Sequence, residues 1–292
     1  MCDQDHLDDW NLGETFDWSA NRRQFTLAAM GALAACSTPT IGVGSSELAE
    51  DWVRIATPDG TMDALFVRPA RGRHPAVLLW PDILSVRDAF QMKARRQAAQ
   101  GYAVLVINQY YRSAPALQFN NGYKEFLAQG GFGKIGPWIK ELTADAITRD
   151  AKAAISWLDG RREVDTRRGI GTHGYCLGGP FTVWTAAAVP RRVRAAASFH
   201  GWGLVKPEDP QSPHKLLGQT RARYLFAIGR NDDEKAPEEK IILREAAAAA
   251  GRPAEVEVYL ADHGWMHPDN AVYNAVQAER GWARMSALFA TL

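Results

Sequence analysis

From residue 51 onward, short apolar runs alternate with longer stretches of helical spacing. "DWVRIAT" and "MDALFVRP" flank "PDGT" and predict a hairpin turned at Pro-Asp-Gly. "HPAVLLWPD" and "YAVLVINQY" are unbroken apolar runs, as expected of strands buried on both faces. Between them, "VRDAFQMKARRQAAQ" has helical spacing and stops at Gly101. "TADAITRDAKAAISWLDG" predicts an amphipathic helix ending at Gly160. Strand, turn and helix follow in "RRGIGTHGYC" and "GGPFTVWTAAAVP". "VRAAASFHG", "RARYLFAIGRND" and "AEVEVYLADHG" are further strands, with the helix "PEEKIILREAAAAAG" before the last of them. "NAVQAERGWARMSALFATL" closes the chain as an amphipathic helix. This alternation predicts a doubly wound, mostly parallel α/β sheet with helices on both faces. There is no internal repeat and no sign of a second domain within 51–292. "NNGYKEFLAQGGFGKIGPW" (120–138) is expected to be a long glycine-rich functional loop.

Composition adds a sizeable core and little else. The chain has 292 residues, 46% of them hydrophobic, with ten tryptophans. A net charge of +1 gives no bulk attraction to nucleic acid. No apolar run reaches the ~18 residues of a spanning helix. Cysteines at 2, 36 and 176 form neither a disulfide framework nor a zinc pattern.

The N-terminus reads as an address. In "NRRQFTLAAMGALAAC", the pair Arg22-Arg23 precedes Phe25 and a mildly apolar run. The order resembles a twin-arginine export signal over residues 1–35. Leu33-Ala34-Ala35-Cys36 also resembles a lipoprotein box, which would make Cys36 a lipid anchor and the only link to a membrane. Residues 36–50 suit a tether, and 51–292 one domain. The expected location is outside the cytoplasm, periplasmic or anchored in the envelope. Removal of 1–35 takes away a net −4 and leaves about +5 on the remainder.

The chemistry centres on "GTHGYCLGGP" (171–180). Gly174-Tyr175-Cys176-Leu177-Gly178 has the form small-x-nucleophile-x-small between a predicted strand and a predicted helix. Such a turn raises its central side chain above a sheet, and its flanks must be small because backbone passes close by. The helix N-terminus favours a thiolate, and the Leu177 N–H is the natural donor to an oxyanion. A cysteine in a glycine-rich turn can also be a small buried hydrophobe. An acid and a base in the right order favour chemistry, and both follow. Asp232 or Asp233 lies just beyond the strand "YLFAIG", and His263 just beyond "VEVYLAD". His263 is preferred over His74, His173, His200, His214 and His267 because it combines a strand end, a following glycine and the order nucleophile, acid, base of α/β-hydrolases. Counting from Gly229 favours Asp232, and counting back from Pro237 favours Asp233. Asp262 is expected at the surface. His263 and His267 do not form a metal pair, since Gly264 and Pro268 oppose a helix there, and no cofactor is expected.

"GYCLGG", "RNDD…AP", "DHGW" and the closing "YNAVQAERGWARMSALF" together resemble the dienelactone hydrolase family, from about Trp52 to Leu292. The resemblance implies the α/β-hydrolase fold and a Cys176-His263-Asp232 triad. It also implies a carboxylate at Asp82, an oxyanion donor at the Ile83 N–H, and a substrate-carboxylate contact from Arg112 with Tyr110 nearby. Two positions depart from the family pattern: Asp82 stands where glutamate is usual, and His267 where a second arginine is usual. The expected activity is hydrolysis of a small ester or lactone through an acyl-enzyme, by a monomer needing no nucleic acid. Alternatives of other kinds are an esterase, thioesterase or peptidase on an envelope substrate, and a lipid-anchored binding protein that keeps only the fold.

Overall fold

The computed structural model describes residues 47–292. The export signal, Cys36 and most of the tether therefore lie outside the described residues. Strand β1 (Leu48–Thr57) begins three residues before the expected domain start. It pairs antiparallel with β2 (Gly60–Pro69) across Pro58-Asp59, with Thr57 opposite Gly60. Gly60 has φ +138, a backbone state that side chains resist.

The chain continues through β3 (Ala76–Trp80), α1 (Asp88–Ala99), β4 (Ala103–Ile107), α2 (Tyr123–Ala128), α3 (Gly131–Lys140) and α4 (Ala144–Asp159). Then come β5 (Ile170–Tyr175), α5 (Gly179–Ala188), β6 (Val193–Phe199), α6 (Pro213–Leu216) and β7 (Arg223–Gly229). Helices α7 (Arg230–Lys235) and α8 (Glu239–Ala249), strand β8 (Ala254–Tyr259) and helix α9 (Ala275–Phe289) complete it. The eight strands lie in the order β1-β2-β4-β3-β5-β6-β7-β8. β2 meets β4 antiparallel, and every pairing from β4 to β8 is parallel. This is the doubly wound, mostly parallel sheet that the alternation predicts, and the α/β-hydrolase architecture that the resemblance implies.

The sheet is covered on both sides because its strands are apolar on both sides. Alternate residues such as Leu65, Val77, Val104, Ala195 and Leu225 pack with Phe90 of α1 and Trp282, Met285 and Phe289 of α9. Residues of the opposite parity face α4 and α5. The Phe66 ring meets Trp157 edge-on at 5.1 Å, and Trp80 Nε1 donates to Thr185 Oγ1 at 3.0 Å. Helix starts follow local chemistry where the sequence offers a cap. Thr143 Oγ1 accepts from Ala146 N, and Asn274 Oδ1 from Gln277 N. No helix among the described residues is long and apolar enough to cross a membrane.

The segment 120–138 corrects the expectation of a loop. It forms α2 and most of α3 despite Gly131, Gly133, Gly136 and Pro137. Aromatic packing outweighs poor helix propensity there: Phe126 touches Phe119 at 5.0 Å and Phe132 at 4.7 Å between ring centroids.

The topology also fixes where a site can form. The chain leaves β3 toward β4 and returns to β5 on the other side of β3. Connections after β3 and β5 therefore diverge and open a crevice at the carboxyl ends of these strands. Trp80 pairs with Gly174, so the loops beginning at Pro81 and Cys176 start side by side.

Candidate active site

Cys176 leaves β5 with φ +52, in the left-handed region that costs a non-glycine residue about 1 kcal/mol or more. A short 3₁₀ turn, Cys176–Gly178, carries the chain into α5. The two flanking glycines are explained by contact distances. A Cβ on Gly174 would sit 2.0 Å from the Gly178 carbonyl oxygen, and one on Gly178 would sit 2.5 Å from the carbonyl oxygens of Trp80 and Pro81. The turn is thus wedged against the end of β3. Cys176 is 5% exposed, and its carbonyl accepts from Trp202 N at 3.0 Å.

Asp232 and His263 follow the ends of adjacent strands. Gly229 at the end of β7 pairs with Tyr259 at the end of β8. Both oxygens of Asp232 lie 3.0 Å from His263 Nδ1. Asn231 Oδ1 accepts from His263 N at 2.8 Å, so one short helix fixes both the ring and the backbone of this histidine. Asp233 turns away and pairs with Lys240 Nζ at 2.6 Å. Of the two carboxylates left open by the sequence, Asp232 is the one that meets the imidazole. Asp262 pairs with Arg230 at 2.8 Å, as a surface residue can.

A path of aromatic rings joins His263 to the cysteine turn. His263 lies 4.7 Å from His200, and His200 lies 6.0 Å from Tyr175, the residue before Cys176. His200 has φ +39, is 1% exposed, and neither of its ring nitrogens has a hydrogen-bond partner among the described residues. Burial, with the His263 charge as a smaller cause, pushes its pKa well below the usual value. A neutral imidazole therefore lies against His263. Packing of one histidine on another is invisible to a reading that ranks each histidine by strand position.

The loop after β3 holds Asp82 and Ile83, and the side chains that the resemblance places near substrate are engaged by protein groups. Asp82 faces the interior: Arg87 grips it through Nη1 at 2.7 Å and Nη2 at 2.9 Å, and Leu84 N donates to it at 2.9 Å. Arg87 is itself 2% exposed and bridges onward to Asp269. Tyr110 is 2% exposed, and its hydroxyl donates to the Ile83 carbonyl at 3.0 Å. It supports the loop from behind. Arg112 is held by Asp150 at 2.7 Å and Asp59 at 2.6 Å, beside the β1–β2 turn. Two carboxylates already neutralise this guanidinium. His267 is fully buried between Phe90 and Tyr175, each 4.9 Å away, with Nε2 3.5 Å from Asp82 Oδ2. Burial pushes its pKa well down, so it supplies no cation.

Two basic residues escaped the sequence reading, Arg87 and Lys93. Arg87 caps α1 and Lys93 lies within it, in a stretch whose charges look solvent-facing by composition. Lys93 is buried, donates to the Met266 carbonyl and lies 5.4 Å from the Tyr175 ring. Burial pulls its pKa down to about 7, with Asp269 opposing that shift. Positions 90, 94 and 97 are buried as well, and that periodicity carries the signal for Lys93.

The family model described as "Dienelactone hydrolase family" matches residues 62–292. The chain belongs to the dienelactone hydrolase family. It is a hydrolase of the kind that acts on ester and lactone bonds. It is 28% identical over 244 residues to the "Putative carboxymethylenebutenolidase" of Escherichia coli (strain K12), covering 80% of this chain and 84% of that one. The "Carboxymethylenebutenolidase" of Pseudomonas sp. (strain P51) is 24% identical over 192 residues, 65% of this chain and 74% of that one. Among solved structures, the "Putative Dienelactone Hydrolase" of Klebsiella pneumoniae superposes with a TM-score of 0.70 at 25% identity, covering 84% of this chain and all of that one.

Proposed function

We propose that this hydrolase cleaves a small ester or lactone through a thioester on Cys176. Asp232, set about His263 Nδ1, keeps the proton on that nitrogen and leaves Nε2 to take the thiol proton. The thiolate adds to the carbonyl carbon, and the N–H groups of Leu177 and Ile83 receive the oxyanion. Each such donor is worth about 3 kcal/mol in the transition state. Collapse expels the alkoxide, which takes its proton from His263. Water, deprotonated by His263, then releases the acid and restores the thiol. In a lactone, acid and alcohol leave as one product.

One observation carries this reading. The carboxylate–imidazole pair of Asp232 and His263 stands at the ends of adjacent strands, on the same edge as a strained cysteine turn. The substrate class is an uncharged or weakly charged ester, because Arg112 and Arg87 are each already paired with two carboxylates. The test is turnover of p-nitrophenyl acetate. Cys176→Ala is expected to abolish it while leaving the melting temperature within a few degrees, and retained turnover removes the scheme. We also read residues 1–35 as directing export, on the strength of the Arg22-Arg23 pair before an apolar run. A reporter fused after residue 50 is expected in the periplasm, and retention of that location when both arginines become lysine refutes it.

A further inference from the structure

The loop after β3 is held from its interior side by buried amides. Gln109 is fully buried, and its Nε2 donates to the Asp82 carbonyl at 2.7 Å. Ser85 N donates to the same oxygen at 3.0 Å. The Gln109 amide is itself fixed, because Ser85 Oγ lies 3.2 Å from Gln109 Oε1 and 3.2 Å from Asn108 Oδ1. Asn108 is anchored in turn, donating to Asp63 Oδ1 and to the Ala114 carbonyl at 2.8 Å each. Ser85 adopts φ +62 to make these contacts. One residue further along the loop, Tyr110 fixes the Ile83 carbonyl.

A trans peptide unit is planar, so its N–H points opposite to its C=O. The described residues contain no cis peptide bond. Fixing the Asp82 carbonyl on Gln109 therefore fixes the direction of the Ile83 N–H, away from Gln109. The loop lies against the cysteine turn, where a Gly178 Cβ would meet the Pro81 oxygen at 2.5 Å. We infer that Gln109 is a positioning residue for the reaction, whose amide aims the Ile83 N–H at the oxyanion formed on the Cys176 adduct. This rests on the reading of Cys176 as nucleophile and Ile83 as donor given above. Gln109 touches no reacting atom, and its effect passes through one peptide plane.

The test separates chemistry that forms an oxyanion from chemistry that does not. Alkylation by iodoacetamide displaces iodide at a saturated carbon, so it reports the thiol and His263 without the oxyanion donors. It is read at Cys176 by peptide mass spectrometry in the full chain. Gln109→Met keeps the length of the side chain and removes the donor. Its kcat on p-nitrophenyl acetate is expected to fall about 10- to 100-fold, with KM within about threefold and alkylation within about twofold. A kcat within threefold of wild type overturns the inference, and so does an equal fall in alkylation. Gln109→Glu serves where the methionine variant does not fold. Its carboxylate cannot donate, but its protonated form can. The ratio of ester turnover to alkylation is then expected to rise at least about fivefold from pH 8 to pH 5.5 relative to wild type. A ratio that tracks wild type overturns the inference. If Cys176→Ala keeps full turnover, the nucleophile reading fails; if it is inactive while Gln109 variants keep a normal ratio, only the positioning role fails.

Discussion

Gly178→Ala tests how tightly the cysteine turn is wedged against the oxyanion loop. The added Cβ would lie 2.5 Å from the Trp80 and Pro81 oxygens and 2.9 Å from the Trp80 carbonyl carbon. All three are backbone atoms, so no side chain can swing aside. Ordinary contact begins near 3.4 Å, so the turn and the end of β3 must separate by about 0.9 Å. Overpacking of this size costs about 1–3 kcal/mol. The separation opens between Cys176 and the loop carrying Ile83, and a misplacement near 1 Å lowers rate by up to about 100-fold. Urea denaturation is therefore expected to show a loss of about 2 kcal/mol, and kcat of the folded protein a fall of about 30- to 100-fold. The control is Gly133→Ala in α3, where a Cβ meets nothing within 4 Å and φ is not positive. It is expected to stabilise by about 0.5–1 kcal/mol with kcat unchanged. A Gly178→Ala protein within 0.5 kcal/mol and twofold in kcat of wild type would refute the argument from contact distances.

Asp232→Asn is expected to lower kcat about 10³- to 10⁴-fold by losing control of the His263 tautomer. Asp233→Asn removes only a partly exposed pair with Lys240 and should change kcat less than threefold; the reverse ranking would make Asp233 the acid. Arg112→Ala leaves Asp150 buried with Tyr111 as its remaining hydrogen-bond partner, so a loss of about 2–4 kcal/mol in denaturation is expected, with kcat/KM for a neutral ester within threefold. A selective loss on anionic lactones with no loss of stability would restore Arg112 as a substrate contact. Lys93 is charged in both folded and unfolded chains below about pH 7, and between about 7 and 10.5 only the unfolded chain holds the proton. The folded protein therefore gains stability from this group as pH rises through that window, by up to about 5 kcal/mol. Lys93→Met should remove that gain, and parallel stability–pH curves for the two proteins would disprove it.

The sheet was legible because each strand carries its partnering rule in its own residues. Ala76–Trp80 and Ala103–Ile107 are wholly apolar and could only be buried on both faces. The cysteine turn was legible for a similar reason, since two glycines at two-residue spacing record close backbone approach. His263 stands out by its strand end, its following glycine and the order nucleophile, acid, base, and the fold sets its ring against Asp232. Asp232 was not separable from Asp233, because the choice depends on Lys240, seven residues away, drawing one carboxylate off. The aromatic packing that turns 120–138 into helices is likewise between residues, and glycine content alone pointed the other way.

The polar residues that the resemblance places near substrate are each engaged by other protein groups. The family resemblance implies substrate contacts at Arg112 and Asp82 and marks His267 as a departure from the family's second arginine. Arg112 meets Asp150, 38 residues on, and Asp82 meets Arg87, five residues on, which reaches Asp269, 182 residues beyond itself. A buried ion pair contributes little net stability, because desolvation offsets most of the attraction, but removing one member is costly. Its use here is geometric. Arg87 ties the loop of Asp82 and Ile83 to the loop that follows His263, so the two sides of the proposed site hold one spacing. Local sequence does not encode that link, because its energy resides in the match between segments about 180 residues apart. The residues proposed for the chemistry lie in local motifs, whereas those that hold the motifs in register are defined by contacts between distant segments.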